Sequence, residues 1–313
     1  MRVVFMGSPA FAVPCLAALA AAHDVVLVVS QPDKPAGRGG KLTQPDVKVA
    51  ALALGLPILQ PRSARTGELA DALTTTGAEL AVVVAYGKIL PPAVLGALPR
   101  GCINVHGSIL PRWRGAAPVQ WSVIEGDVET GVAVMQLDAG MDTGPVYLDR
   151  RVAIGADETA GELLVRLAPI GAAAMLDVIA AMEVGTARAV AQDDGRATHA
   201  RMLDKTDGAL DFAQPAARVA ARIRGVDPWP GAHTNHRGDV VKLFHAHAIA
   251  GTGVPGTVVA IDKAGLHVAC ADGLVVIREI QAAGRKRMPA HVFASGRGIA
   301  VGEVLIAAPQ VAP

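Results

Sequence analysis

Residues 80–85, Leu-Ala-Val-Val-Val-Ala, run apolar and β-branched without a break. A strand with one wet face alternates apolar and polar residues, and an amphipathic helix repeats every three or four. This run does neither. So short a segment, apolar on both faces, reads as a central strand of a parallel sheet covered on both sides. Residues 2–6, 25–30, 102–105 and 132–137 have the same character. Helical patterns at 10–22, 49–54, 67–75 and 91–98 lie between them. Strands alternating with helices specify an α/β domain with a Rossmann-like, mostly parallel sheet. Gly7-Ser8-Pro9 follows the first strand where a G-x-G-x-x-G turn would have to stand, so a nicotinamide or flavin dinucleotide is not expected.

With 313 residues the chain can bury two cores. Aromatics make up only 3%, so Ala, Val, Leu and Ile must fill those cores, which suits α/β packing. Cys15, Cys102 and Cys270 are far apart and form no C-x-x-C pair. Neither a disulfide framework nor a metal site is suggested, and a reduced, cytoplasmic compartment is expected. The first strand begins at once, so no signal peptide is expected. No apolar run is expected to reach the length that crosses a bilayer, and a monomer without a membrane partner is expected.

Chemistry concentrates between Gly101 and Tyr147. Asn104 and His106 sit two apart in a strand that ends at Gly107, so both side chains leave the same face. The carboxyl ends of the strands are where open α/β sheets bind ligands. The run 132–137 empties into a Gly-rich loop carrying Asp138 and Asp142. An amide can donate to a developing oxyanion, an imidazole can move protons, and a carboxylate can orient the imidazole. Together they form a plausible acyl-transfer site. Residues 115–124 read as a helix whose first amides face the crevice, with Arg112 and Arg114 beside it either as cations for a carboxylate or an RNA phosphate or equally as ordinary ion-pair partners.

The order Asn104-x-His106, then Ser108-Ile109-Leu110-Pro111, then Asp142 resembles the folate-dependent formyltransferases. The likeness runs from Met1 into the C-terminal region. Departures are small: Ile109 stands where Leu is usual, Met141 stands where Leu is common, and Gly40 replaces a common Lys. The resemblance implies 10-formyltetrahydrofolate as formyl donor, no metal, and Asn104, His106 and Asp142 as catalytic residues. It implies that Tyr86, Gly87, Ser108, Ile109, Leu110, Pro111 and Asp138 line the folate site. The forms Trp113-Arg114-Gly115-Ala116-Ala117-Pro118 and Gln31 to Gly39 look like those members whose acceptor is initiator methionyl-tRNA.

Domains are expected at 1–188 (catalytic), 189–206 (linker) and 207–313. In the last, β-rich segments at 239–245, 256–260, 265–269 and 273–280 suggest a small antiparallel barrel. The resemblance makes it an OB-like domain for tRNA. A basic helix at 218–224 precedes it, and basic residues outnumber acidic ones after Arg188. Arg38 and Lys41 in the Pro- and Gly-rich loop 31–48, Lys205, and the cluster Arg285-Lys286-Arg287 are the expected tRNA contacts. His245-x-His247 has metal-like spacing but lacks a companion and reads as strand. The alternatives are a formyltransferase for a small amine such as a nucleotide sugar, and an RNA-binding module on an inactive scaffold. The intact Asn104, His106 and Asp142 set argues against the second.

Overall fold

The computed structural model describes residues 1–36, 40–296 and 298–306. The chain divides into two compact units. The first comprises 1–118, 130–152 and 164–200, and the second 119–129, 153–163 and 201–313.

The first unit is built on strands β1 (Arg2–Gly7), β2 (Asp24–Val29), β3 (Ile58–Leu59), β4 (Leu80–Val84), β5 (Cys102–His106), β6 (Glu129–Gln136) and β7 (Val146–Ala153). They form one sheet in the order β7-β6-β5-β4-β1-β2-β3. β1 pairs in parallel with β2 and β4, β4 with β5, and β2 with β3. β6 runs antiparallel to β5. All five residues of β4 are buried, as a strand covered on both faces must be. The chain leaves β1 toward β2 on one side and reaches β4 on the other, so the strand order reverses beside Gly7. The carboxyl ends of β1, β4 and β5 therefore open a crevice there.

Several expectations are corrected. The helix read at 115–124 begins only at Pro118 (Pro118–Ile124). Trp113 and Gly115 have φ of 63° and 122°, which no helix accepts, and Arg114–Gly115 pairs in parallel with His199–Ala200. Residues 31–48 are not simply an open loop. Lys34–Ala36 and Lys41–Thr43 form an antiparallel pair, and Lys48 closes the base through Asp33 at 2.8 Å. Hydrogen bonds from Lys48, then Gln60, hold the Asp33 carboxyl below the usual carboxylate range.

The third correction concerns hydropathy. The helix Ala160–Glu183 is long and apolar enough to cross a membrane, contrary to the expectation that no run would be. Half of its most apolar window is buried. Leu167, Met175 and Ile179 are covered, and Gly171 packs so closely on Val105 of β5 that a Cβ would approach it to 2.9 Å. The apolar character fits a helix that roofs a sheet.

Cys15, Cys102 and Cys270 are all free and buried. Burial pushes the Cys15 and Cys102 thiols up to about 12 and Cys270 up to about 11. A thiol whose folded value lies above its ordinary 9.0 stabilises the fold below that pH. Stability should then fall between pH 9 and pH 12, as only the unfolded thiols ionise. At pH 8 the native protein should label with iodoacetamide far more slowly than the urea-unfolded chain, because only the thiolate reacts. Equal rates would show the thiols to be accessible.

In the second unit, Ala232–His236, Asp239–Ile249, Leu274–Ala282, Gly265–Ala269 and Val258–Asp262 form an antiparallel sheet in that order. Four of the five match the expected strands. Ala232–His236 was not expected, because its His, Thr and Asn side chains hide the alternation. The expected barrel is not closed. Among the described residues, the segment after Gly302 meets the two sheet edges through isolated bridges, Val304 to Thr257 and Ile306 to Asn235. The basic helix is Ala216–Gly225, and Asp239–Ile249 leaves His245 (φ 50°) out of its ladder while the register on either side is unchanged, so His245 and His247 lie within one strand. Among the described residues no group of three ligands could hold a metal ion.

Candidate active site

The β5 ladder places Asn104 opposite Met135 and His106 opposite Ala133 of β6. Two-residue spacing puts both side chains on one face, where Asn104 is 9% and His106 5% exposed. His106 Nε2 lies 2.9 Å from the Trp113 carbonyl oxygen, to which it donates, so Nε2 carries a proton. Nδ1 then faces Asp142 Oδ2 at 3.7 Å, an electrostatic contact longer than a hydrogen bond. Asp142 itself sits at φ 55° and accepts the Gly115 backbone N–H at 2.8 Å. The amide, imidazole and carboxylate expected from the sequence thus converge. The backbone of Trp113 and Gly115 joins them, which strand spacing could not foresee.

The loop from Ser108 to Trp113 is held at several points. Ser108 Oγ donates to the Arg112 carbonyl at 2.6 Å, and Leu110–Pro111 is a cis peptide. The Thr198 hydroxyl accepts the Trp113 N–H at 2.9 Å. Ile109 lies over Gly131 of β6, where a Cβ would come within 2.5 Å of its side chain. The Asp138 carboxylate closes the next loop by accepting from the Gly140 N–H and the Thr143 hydroxyl.

Tyr86 is different from expectation in one respect. Its side chain is buried in the cluster with Met6, Val83 and Leu90, so only its backbone can face a ligand. Burial pushes the Tyr86 phenol up to about 12, which keeps it neutral. The carbonyls of Tyr86 and Gly87 accept Nε2 of Gln31 at 2.9 and 3.2 Å. Gln31 therefore shapes that loop, a role with no local signal in the sequence.

Of the basic residues, Arg114 is not available to an anion. It is 5% exposed and donates to Gln192 Oε1 and Asp194. Arg112 lies over the Trp113 ring at 4.4 Å. Arg287 pairs with Asp227 at 2.9 Å and covers the Phe244 ring at 3.5 Å. Lys205, Arg285 and Lys286 are exposed, Lys205 on the short turn Lys205–Gly208. Lys41 belongs to the pair at the tip of 31–48, and Arg38 lies outside the described residues.

Residues 1–179 match the family described as formyl transferase, and 202–298 match the formyl transferase C-terminal domain. A methionyl-tRNA formyltransferase of Desulfotalea psychrophila is 47% identical over 97% of this chain and 95% of its own. One from Sorangium cellulosum is also 47% identical, over 97% and 99%. Among solved structures, an N-formyltransferase from Helicobacter canadensis, in complex with folinic acid and dTDP-3-aminofucose, superposes with a TM-score of 0.69. That likeness covers 88% of this chain and 98% of the other at 15% identity, and so speaks to the fold.

Proposed function

This chain belongs to the methionyl-tRNA formyltransferase family, and from that premise we propose how its residues move a formyl group from 10-formyltetrahydrofolate to the α-amine of methionyl-initiator tRNA. The observation that carries the assignment is the meeting of Asn104, His106 and Asp142 at one end of β5. The neutral amine attacks the formyl carbon, forming a new C–N bond. Charge grows on the formyl oxygen, where the Asn104 amide donates a hydrogen bond. The bond to the folate nitrogen breaks, and the proton lost by the amine ends on that nitrogen. His106 has its Nε2 proton engaged by Trp113, so the Nδ1 edge beside Asp142 is the one that meets the reacting groups.

Folate would lie along the backbone at Tyr86–Gly87 and against Ser108, Ile109, Leu110 and Pro111, with Asp138 shaping the far loop. Lys205, Arg285 and Lys286, with Arg38 and Lys41, would meet tRNA phosphates. Arg287, exposed beside them and oriented by its pairing with Asp227, would add a further phosphate contact. We further place the protein in the cytoplasm as a monomer, which three free thiols suit.

The deciding assay measures formyl incorporation from 10-formyltetrahydrofolate into methionyl-initiator tRNA, with uncharged tRNA and free methionine as controls. Formylation of the charged tRNA alone is expected. Folate binding without it would move the acceptor to a small amine such as a nucleotide sugar. Binding of tRNA should weaken steeply with salt. Replacing Lys205, Arg285 and Lys286 by Ala should reduce the log–log salt slope by about 0.9 for each lost phosphate contact. An unchanged slope would remove these residues from the interface.

A further inference from the structure

We propose that Gln192 is a positioning residue for formyl transfer, fixing Asp142 through the backbone of the loop that carries it. This rests on the reading that Asp142 serves His106. Gln192 lies in the polar segment that looks like a linker, 50 residues beyond Asp142, and no spacing pattern ties the two.

All the hydrogen-bonding capacity of its side-chain amide is used. Nε2 donates to the carbonyl oxygens of Asp142 at 2.8 Å and Gly144 at 2.7 Å. Oε1 accepts from Nε and an Nη of Arg114 at 3.0 and 2.9 Å. Only one orientation of the amide satisfies these partners, since carbonyls need the NH2 group and a guanidinium needs the oxygen. Arg114 is itself buried and anchored to Asp194 at 2.7 Å. Its neighbour Gly115 donates its N–H to the Asp142 carboxylate.

Asp142 is thus gripped at both ends, by two segments that Arg114 ties to each other through Gln192. Gln192 holds its carbonyl, and Gly115 holds its carboxylate. The need is visible in its backbone. Asp142 sits in the left-handed region at φ 55°, where a non-glycine residue stays only if its surroundings over-determine it. The contact that matters, Asp142 Oδ2 to His106 Nδ1, spans 3.7 Å and has no direct hydrogen bond to keep it in place. Loss of this hold would move the Asp142 carboxylate, and a displacement of about 1 Å can cost on the order of a hundredfold in rate.

The test compares Gln192→Ala, Gln192→Glu, Asp142→Ala and the double variant Gln192→Ala/Asp142→Ala. Gln192→Ala should lower kcat tenfold or more and leave KM for both substrates within about twofold. Gln192→Glu keeps an acceptor for Arg114 but turns a carboxylate toward two carbonyl oxygens. It should therefore lose turnover as Gln192→Ala does. In the Asp142→Ala background, removal of Gln192 should cost less than about twofold more, because a residue acting through Asp142 has nothing left to position.

Full turnover in Gln192→Glu would overturn the inference by confining the residue's role to bracing Arg114. Multiplicative losses in the double variant would overturn it too. Near-parental turnover in Asp142→Ala would instead defeat the catalytic reading of Asp142.

Discussion

Asn104→Ala and His106→Ala should each lower the turnover of formyl transfer by a hundredfold or more while the fold survives. Removing one preorganised donor from a developing oxyanion typically costs about 2.7–4 kcal/mol, or 10²–10³ in kcat. Asn104 is placed for that role on the face of β5 that it shares with His106, and only 9% of it reaches solvent. A water molecule drawn into its place would lack a fixed orientation. His106 is held by the Trp113 carbonyl on one side and faces Asp142 on the other. Alanine removes the proton-moving group that faces Asp142. Each loss belongs to the transition state, so kcat should fall and KM for methionyl-tRNA should hold. Both substitutions only shorten polar side chains on a strand whose ladder is made by backbone, so the far-ultraviolet circular dichroism spectrum should match the parent. Steady-state formylation with purified charged tRNA reads the effect. Turnover within threefold of the parent in either variant would take that residue out of the catalytic set.

Gly115→Ala should be nearly as damaging, although Gly115 has no side chain to contribute. Its φ of 122° is strained for any residue with a Cβ, and a Cβ there would stand 2.5 Å from the Ala200 carbonyl oxygen. That oxygen is not free to move. It accepts N–H groups of Ala116 and Ala117 at 2.8 and 3.3 Å, and Ala200 pairs with Gly115 in the short parallel ladder. The chain must shift, and with it the N–H that holds Asp142. Misplacing a catalytic group by about 1 Å can cost on the order of a hundredfold in rate. Forcing the backbone strain should cost about 1–3 kcal/mol of stability. Gly126→Ala is the control. Its φ is 74° but nothing lies within 4 Å of the added methyl, so it should lose some stability and keep its turnover. If Gly115→Ala and Gly126→Ala had equal activities, the close approach at Ala200 would not govern the site.

Much of the first unit could be read before folding. The central strand Leu80–Val84, the strands beside it and the helices between them are local patterns, and local patterns survive in one dimension. The pairing of Asn104 with His106 was legible for the same reason, because a strand alternates its side chains whatever lies around it. Charge was read less well. Arg114 read equally as a cation for an anion and as an ion-pair partner, and its burial against Gln192 and Asp194 decides for the second, while Arg287 pairs with Asp227 and covers the Phe244 ring yet stays exposed. Composition says that a residue is cationic; only its neighbours say whether that charge is free. The hydropathy of Ala160–Glu183 was underestimated because its interspersed Gly, Pro and charged residues break the run in sequence, while the folded helix presents a covered face.

By itself, then, the sequence determined the sheet, its helices, and the amide and imidazole at the end of β5, all set by backbone periodicity within a few residues. Tertiary structure alone decided what holds Asp142 in place. Gly115 and Gln192 act there across separations of 27 and 50 residues, and Thr198 steadies Trp113 from 85 residues away. No local regularity encodes such contacts. They exist because the fold brings the loop after β5, the loop after β6 and the segment 190–200 together, and the hydrogen-bonding groups of those backbones had to be satisfied where they met.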